Sequence, residues 1–519
     1  MKCSIGIDYG TQSARAMLVN IETGEVLEHA VAEYAHPLSE DCLVDGADYD
    51  DALLRLMQAI AKNPNSRHVV GVAVDATTLT LVPLAQDGRL LSEVMDDPLA
   101  KVKLWCRHSA AAYADRALKL AQDRGESFIH YTGDTISSEW MLPKLLETYY
   151  EAPAVFKQMD IAFDLCDYLT FRLTGNITRS AASLSYKCSW LKETGFPSAD
   201  YLDALAPGFG AAYEYRMRGE IMVPGQRAGL LTDKWRSILG AEAPVAVAVG
   251  QPDGNTPSVG LGAIREGDVT IVLGTSSVLM VQVKEGCTPD GLLGIAPDGV
   301  VPGLTAMECG SNCAGEMLNW FVQNMLTAED AEIAAKQGIS AHELLASRVS
   351  KPWNNRLIAL DWWNGSRCAP CDLSLSGTLI GMRLDTRSHD IYLALLQSMA
   401  TGMRDMLALC CQNGGRAGRI YAGGGIVKKN PLLMQQFANI LGMPIAATTN
   451  SETGALGSAI LAAVAAGEYP TPEEACAKMA VQDFQYYEPD MTHREDYKQL
   501  YERSHRARQV VAQLQHELA

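Results

Sequence analysis

The sequence predicts an α/β protein made of two duplicated halves with a cleft between them. Three observations point there. The strand-like residues 3–8 and 14–20 flank a turn carrying Gly10-Thr11-Gln12-Ser13, and the same arrangement returns as 269–273, Gly274-Thr275-Ser276-Ser277 and 278–283. Two hairpins of one pattern, each opening its own half, mark an internal duplication. The length of 519 residues suits two domains of roughly 250 residues each. At the midpoint, the short apolar run Val245–Val249 leads into Gly250-Gln251-Pro252-Asp253-Gly254, so the expected division is 1–256 and 257–519.

Composition narrows the class of protein. Apolar residues make up 48% of the chain and charged residues 20%, an ordinary globular profile. The 43 Lys+Arg against 61 Asp+Glu leave a net charge of -18, which argues against nucleic acid or an anionic membrane as a partner. Local binding of an anion stays open, through backbone N–H groups, helix N-termini and Mg²⁺. No apolar run approaches the ~20 residues of a membrane helix. Asp8 stands where a signal peptide would need its apolar core. The 13 cysteines are odd in number and form no framework, so a reducing cytoplasm is the expected location. Cys309-x3-Cys313 and Cys368-x2-Cys371 lack a second pair or a His at ligand spacing and read as free thiols, not zinc sites.

Taken in order, the first half opens as a meander, with strands at 3–8, 14–20 and 26–31. Residues 48–63 form an amphipathic helix with Leu53, Leu56, Met57 and Ile60 on one face. A buried strand at 69–75 again ends in an acid, Asp75, before Ala76-Thr77. Helices are expected at 109–124, 139–150 and 152–173, the last stopped by Gly175. The second half repeats the hairpin and then places a helix bearing Met317, Leu318, Phe321, Val322 and Met325. The helix 390–411 carries a methionine stripe that reads as core packing. A strand from Arg419 runs into Gly423-Gly424-Gly425, the helix 430–441 has Pro431 at its first turn, and a further helix covers 459–466. The polar tail from about residue 488 reads as a surface helix.

Three features carry chemistry. Asp8 closes a strand beside Gly10-Thr11-Gln12-Ser13, where glycine permits close approach of a phosphate and the hydroxyls can donate to it. Asp8 is positioned to hold Mg²⁺, usually through water. Gly274-Thr275-Ser276 offers the same equipment from the other half, and Gly424-Gly425 leaves room for the face or sugar of a nucleotide. Taken singly, each is equally a plain tight turn or a strand-to-helix connection. Asp253 reads either as an Asx-turn acid or as a carboxylate aimed by a strand end.

The ordered set resembles the FGGY carbohydrate kinase family. Its matching pieces are Ile7–Ser13, Gly250-x-x-Asp253, Leu273–Ser277, the block from Ala422-Gly-Gly-Gly through Asn430, Met434, Gln435 and Leu441-Gly442, and Gly454–Ala459. The resemblance implies two duplicated ribonuclease-H-like domains, as in the sugar kinase, actin and heat-shock-70 fold. Within the family the chain is most similar to ribulokinases, through Val74–Thr77, Trp105…His108, Ser138-Glu139-Trp140, Lys187 near Trp190, Glu308-x-Gly310 and Asp361-Trp-x-Asn-Gly365. One departure stands out. Where those kinases tend to read Trp-x-Asp-His-Arg, this chain reads Trp105-Cys106-Arg107-His108-Ser109, so the resemblance does not assign the sugar.

The implied reaction is ATP-dependent phosphorylation of the terminal hydroxyl of a ketopentose, ribulose in the first place. Xylulose, ribitol or erythritol are the alternatives within the kinase class. By the resemblance, Asp253 is the general base, Asp8 positions Mg²⁺, and Lys187, Glu308, Asp253 itself, Ala76, Trp140 and His108 are candidate sugar contacts. Gly10, Thr11, Gln12, Ser13, Gly274, Thr275, Ser276, Gly424, Gly425 and Asn430 are candidate nucleotide contacts. The partners are a small sugar and ATP, and a homodimer is left open. An ATPase switch of the same fold would share the phosphate turns without needing Lys187, Asp253 and Glu308. A silent sugar sensor would not need Asp253. A site between two halves also predicts closure on the sugar, which excludes water from the reacting phosphoryl group.

Overall fold

The computed structural model describes residues 1–287, 289, 292, 294–368 and 371–518. Two twisted mixed sheets form its frame, and their strand orders correspond. In the first half the order is Val26–Glu33, Ser13–Asn20, Cys3–Tyr9, Val69–Ala76, Ala246–Ala248 and Arg227–Leu230. The first two pairings are antiparallel, the next two parallel and the last antiparallel. In the second half Leu304–Ser311, Ser277–Lys284, Asp268–Leu273, Arg419–Gly423, Ile445–Ala447 and Gln485–Tyr487 follow the same succession of pairings. One extra strand, Gly294–Pro297, extends the far edge of the second sheet. The parallel pairings require crossover connections, and helices supply them on the sheet faces.

Apolar periodicity accounts for most elements. The Ala47–Ile60 helix buries Leu53, Leu56, Met57 and Ile60, and the Ser388–Cys410 helix buries Met399, Met403 and Met406 in the second core. One expectation fails. The single helix expected over 152–173 is a short helix Pro153–Gln158, a strand Ile161–Asp164 and a helix Leu165–Thr174. The apolar run from Ile161 pairs with Leu81–Leu84, and Asp164 then caps the next helix through the Leu165 N–H at 2.9 Å. A short apolar run is ambiguous between helix and strand until a pairing partner decides. The helix expected at 459–466 begins earlier, as Thr453–Ala465.

That helix joins the halves. It comes from the second half yet lies on the first sheet, where added methyls at Gly6 and Gly71 would overlap the carbonyls of Ala455 and Ala462. It also crosses the Thr256–Gly260 helix backbone to backbone. Methyls at Gly260 and Gly457 would overlap the carbonyls of Thr453 and Thr256. Small residues at a crossing let two helix axes approach closely.

Among the thiols, Cys42 and Cys106 are joined as a disulfide with Cα atoms 6.0 Å apart, which the expectation of a reducing location without a disulfide framework did not include. Cys309, Cys313, Cys368 and Cys371 are free, as expected, and no group of His, Cys, Asp and Glu among the described residues forms a metal cage. No described helix is long and apolar enough to cross a membrane.

Candidate active site

Three neighbouring strand ends carry three carboxylates. Asp8 lies opposite Asp75 in the parallel register of Cys3–Tyr9 and Val69–Ala76. The two-residue strand Gln251–Pro252 pairs alongside, and the Asp253 N–H donates to the Ala76 carbonyl at 2.9 Å. The polypeptide at Ala76 thereby fixes where Asp253 points. Burial pushes the Asp253 carboxyl up to about 7, with the charges of Asp8 and Glu308 adding to the rise and the Gly254 N–H and Lys187 opposing it. Asp253 is therefore a carboxylate tuned toward neutrality, the range in which proton acceptance is most useful.

Asp75 is fully buried, and one of its oxygens accepts from Ser458 Oγ at 2.6 Å. Its other oxygen has no hydrogen-bond donor. Burial, then the charge of Asp8, hold its pKa well above the usual carboxylate range. Asp8 is also raised by burial, against the pull of Asp75 and Arg15. Arg15, its register partner on Ser13–Asn20, stands 4.0 Å from it and 3.7 Å from Glu452. Two neighbouring carboxylates, one with a buried oxygen that no other side chain answers, are hard oxygen donors. Mg²⁺ is commonly held by one or two carboxylates together with water and substrate phosphate, so these residues fit it.

Lys187 and Glu308 meet across the halves. Nζ of Lys187 lies 3.4 Å from Oε1 of Glu308, with side chains 15% and 17% exposed. Lys187 ends the Ala181–Lys187 helix of the first half, and Glu308 sits on Leu304–Ser311 in the second. A Cβ at Gly254 would be 3.8 Å from Oε2 of Glu308, which puts the pair beside the Asp253 turn. One cation and one carboxylate side by side next to the Asp253 turn can both donate to and accept from a polyhydroxyl ligand.

The two hairpin turns are built alike. The Gly10 N–H donates to the Ser13 carbonyl at 3.0 Å, and the Gly274 N–H to the Ser276 carbonyl at 2.9 Å. Gln12, Gly274 and Thr275 are exposed, while Thr11, Ser13 and Ser276 are half-buried. Gly424 has φ +102, and a Cβ there would overlap the Leu273 backbone, so the turn after Arg419–Gly423 is closed to larger residues. Gly425 faces open space.

Other expected residues fall elsewhere. Asn430 is buried, and its amide is occupied, capping Leu433 N–H at 3.0 Å and donating to the Tyr392 hydroxyl at 2.8 Å. It supports the helix behind the glycine turn. Trp140 is 1% exposed within the apolar core of the first half, so its ring has no free face for a sugar. His108 is on the rim, 3.4 Å from Ser138 Oγ. Arg107 is turned into the protein, donating to the Asp41 carbonyl at 2.9 Å and to Glu147 at 3.3 Å. Sequence reasoning placed Asp75, Arg15 and Ser458 in strands and helices without giving them a role at the site. The signal for Arg15 was its position opposite Asp8 across a hairpin, readable once the register is known.

Comparison with known proteins agrees with this architecture. Residues 3–260 match the model of the FGGY family of carbohydrate kinases, N-terminal domain, and residues 269–466 match that of its C-terminal domain. The chain is 34% identical to a ribulokinase of Geobacillus thermodenitrificans over 96% of this chain and 93% of that protein. It is 33% identical to a ribulokinase of Mycolicibacterium smegmatis, over 92% and 88% respectively. Its fold matches a ligand-bound xylulose kinase from Lactobacillus acidophilus with TM-score 0.83 at 19% identity, over the full length of both chains. It also matches Plasmodium falciparum glycerol kinase with ADP, with TM-score 0.76 at 15% identity over 97% of each. By fold, by both halves of the family model and by full-length relatives, the chain belongs to the FGGY family of carbohydrate kinases.

Proposed function

We propose that this protein transfers the γ-phosphoryl group of ATP to the terminal hydroxyl of a ketopentose, with ribulose as the first candidate. The observation that carries the reading is the placement of Asp253, a carboxylate with pKa about 7, beside the Lys187–Glu308 pair that bridges the two halves. An ATPase switch of the same fold has no use for that set. The relatives named ribulokinase support the choice of sugar.

In this reading the division falls at 256/257, with the sugar and phosphate side first and the nucleotide side second. Lys187 and Glu308 grip hydroxyls or the carbonyl of the sugar, and Ala76 lines the floor below them. His108 stands at the rim, and Trp140 backs the pocket from the core. Asp253 accepts the proton of the attacking hydroxyl as the O–P bond forms. Thr11, Gln12, Ser13, Thr275 and Ser276 present N–H and hydroxyl donors to the phosphates between the Gly10 and Gly274 turns. Gly424 and Gly425 leave space at the nucleoside end, and Asn430 holds the helix behind them. Asp8, with Asp75 beside it, would hold Mg²⁺, which would neutralise phosphate charge. Phosphoryl transfer asks mainly for this positioning and charge balance. An ATP substrate also accords with a cytoplasmic location. Every residue of the site comes from one chain, so the reading needs no second copy.

The test is coupled ADP release with L-ribulose, D-ribulose, D- and L-xylulose, ribitol, erythritol and glycerol, using Asp253→Asn as the blank. A ketopentose should stand well above the blank. Equal rates for all seven compounds and the blank would overturn the assignment.

A further inference from the structure

We propose that Lys144 is a positioning residue for the sugar pocket, holding the segments 76–80 and 104–108 in place through hydrogen bonds to their backbone carbonyls. The proposal rests on the ketopentose-kinase reading for the identity of the acceptor and adds to it the device that sets the pocket's shape.

Lys144 lies on the Met141–Glu151 helix and is fully buried. Its ammonium donates to the Leu79 and Leu104 carbonyls, both at 2.7 Å, and reaches the Lys103 carbonyl at 3.4 Å. All three acceptors are neutral. A buried ammonium is costly unless its donors are used, so a cation in this place implies a demand for several donors at one point.

That demand is visible at Leu79. Its φ of 63 puts a bulky side chain in the left-handed region, where strain must be held by the surroundings. Both of its polar backbone groups are held. The N–H donates to Asp164 at 3.2 Å, followed by Thr80 N–H to the same carboxylate at 3.0 Å, while the carbonyl goes to Lys144. The segment begins at Ala76, whose carbonyl receives the Asp253 N–H, and Thr77, whose N–H donates to the Tyr9 carbonyl at 3.0 Å. On the other segment, Leu104 precedes Trp105, whose Nε1 lies 3.4 Å from Thr11 Oγ1, and Arg107 is tied to Glu147, about one helical turn beyond Lys144. One face of this helix, through Lys144 and Glu147, therefore backs both segments.

The nucleotide turns at Gly274–Ser276 and Gly424–Gly425 belong to the other sheet and make no bond to Lys144, and the Gly10–Ser13 turn meets the held segment 104–108 through the 3.4 Å contact of Trp105 Nε1 with Thr11 Oγ1. Loss of the ammonium should weaken the acceptor sugar and spare ATP. Burial also brings the Lys144 pKa down to about 7, with Glu139 and Asp164 raising it and Lys103 and Arg107 lowering it. Above that pH a neutral amine has two N–H groups for three carbonyls, so acceptor KM should rise as pH increases through about 7. Asp253 titrates in the same range and also meets the sugar, so the Lys144 effect is read as the pH dependence of acceptor KM that the wild type shows and Lys144→Met lacks.

The experiment measures acceptor KM, ATP KM and kcat from below to above pH 7 for the wild type, Lys144→Met and Lys144→Gln. Lys144→Met should raise acceptor KM about tenfold and leave ATP KM within about twofold. Lys144→Gln, which keeps a donor, should fall between. The wild-type rise of acceptor KM with pH should vanish in Lys144→Met. The proposal is overturned if both KM values move together, if neither moves, or if the pH dependence survives in Lys144→Met. Should Lys144→Met fail to fold, Lys144→Gln takes its place, and a pH profile of acceptor KM identical to that of the wild type would overturn the proposal. If the wild type turns over no ketopentose, the functional reading fails instead. Hydrogen exchange then decides the positioning role alone. Amides of 79–81 and 104–107 should exchange faster in Lys144→Gln while 274–277 stay unchanged, and unchanged rates at both segments would overturn it.

Discussion

Asp253 illustrates how a fold tunes a single side chain. Burial first, then the nearby charges of Asp8 and Glu308, raise its pKa to about 7. Two outcomes follow. The rate under saturating ATP should climb as pH rises through about 7, because only the ionised form accepts a proton, and a pH–rate profile checks this. Because the folded-state pKa lies above the unfolded value of 3.8, the contribution of this group to stability is lost as pH rises through about 7. Asp253→Asn should therefore lower kcat by about 10²–10⁴-fold while raising the melting temperature at pH above 7, the gain shrinking as pH falls. A lower melting temperature above pH 7 would contradict it. Lys187 and Glu308 support each other at 3.4 Å, so Lys187→Met should raise sugar KM about tenfold with little change in ATP KM. Measurement of both KM values on the variant tests it. The sequence could name Asp253, Lys187 and Glu308. It could not show that Asn430 and Trp140 are enclosed, because accessibility belongs to the packing around a residue and not to its identity.

At the scale of elements, glycines decide what can pass close to what. Gly424 combines φ +102 with the Leu273 backbone behind it. Gly424→Ala should strain the turn by about 1–3 kcal/mol and raise ATP KM more than sugar KM, read from steady-state kinetics. The crossing of Thr256–Gly260 with Thr453–Ala465 is more demanding, since methyls at Gly260 and Gly457 meet main chain. Gly457→Ala should destabilise the protein by about 1–3 kcal/mol or more, seen as a lower denaturant midpoint with unchanged side-chain chemistry at Asp253. Element identity was mostly legible in the sequence, because long apolar stripes such as that of Ser388–Cys410 have one clear period. The failure at Ile161–Asp164 has a local cause. Three apolar residues and an aspartate between two helical stretches carry no period long enough to read, and only Leu81–Leu84 beside them makes them a strand.

For the whole molecule, the duplicated sheets each carry a Gly-Thr turn between their first two antiparallel strands, with Lys187 and Glu308 meeting from opposite halves. Lys187 and Glu308 already meet at 3.4 Å, so any further closure on the sugar has to come from the halves turning about the glycine crossing. Small-angle scattering should show a smaller radius of gyration with saturating sugar than without, and no compaction would count against closure as a step. Gly457→Ala offers a second view, since a stiffened crossing should reduce kcat through the same motion.

The sequence by itself determined the two halves, their matching hairpins, the run of motifs that places the chain among carbohydrate kinases, and the carboxylate at the midpoint. These are local patterns, and a turn or an apolar period needs only its own neighbours to be read. The tertiary structure alone decided that Asp75 faces Asp8, that Arg107 turns inward to Glu147, that Lys144 holds Leu79 and Leu104, and that a helix near residue 460 lies on the first sheet. Each joins residues far apart in the chain. Such contacts are fixed by strand register and helix docking, which depend on the packing of the whole and leave no mark at any one position.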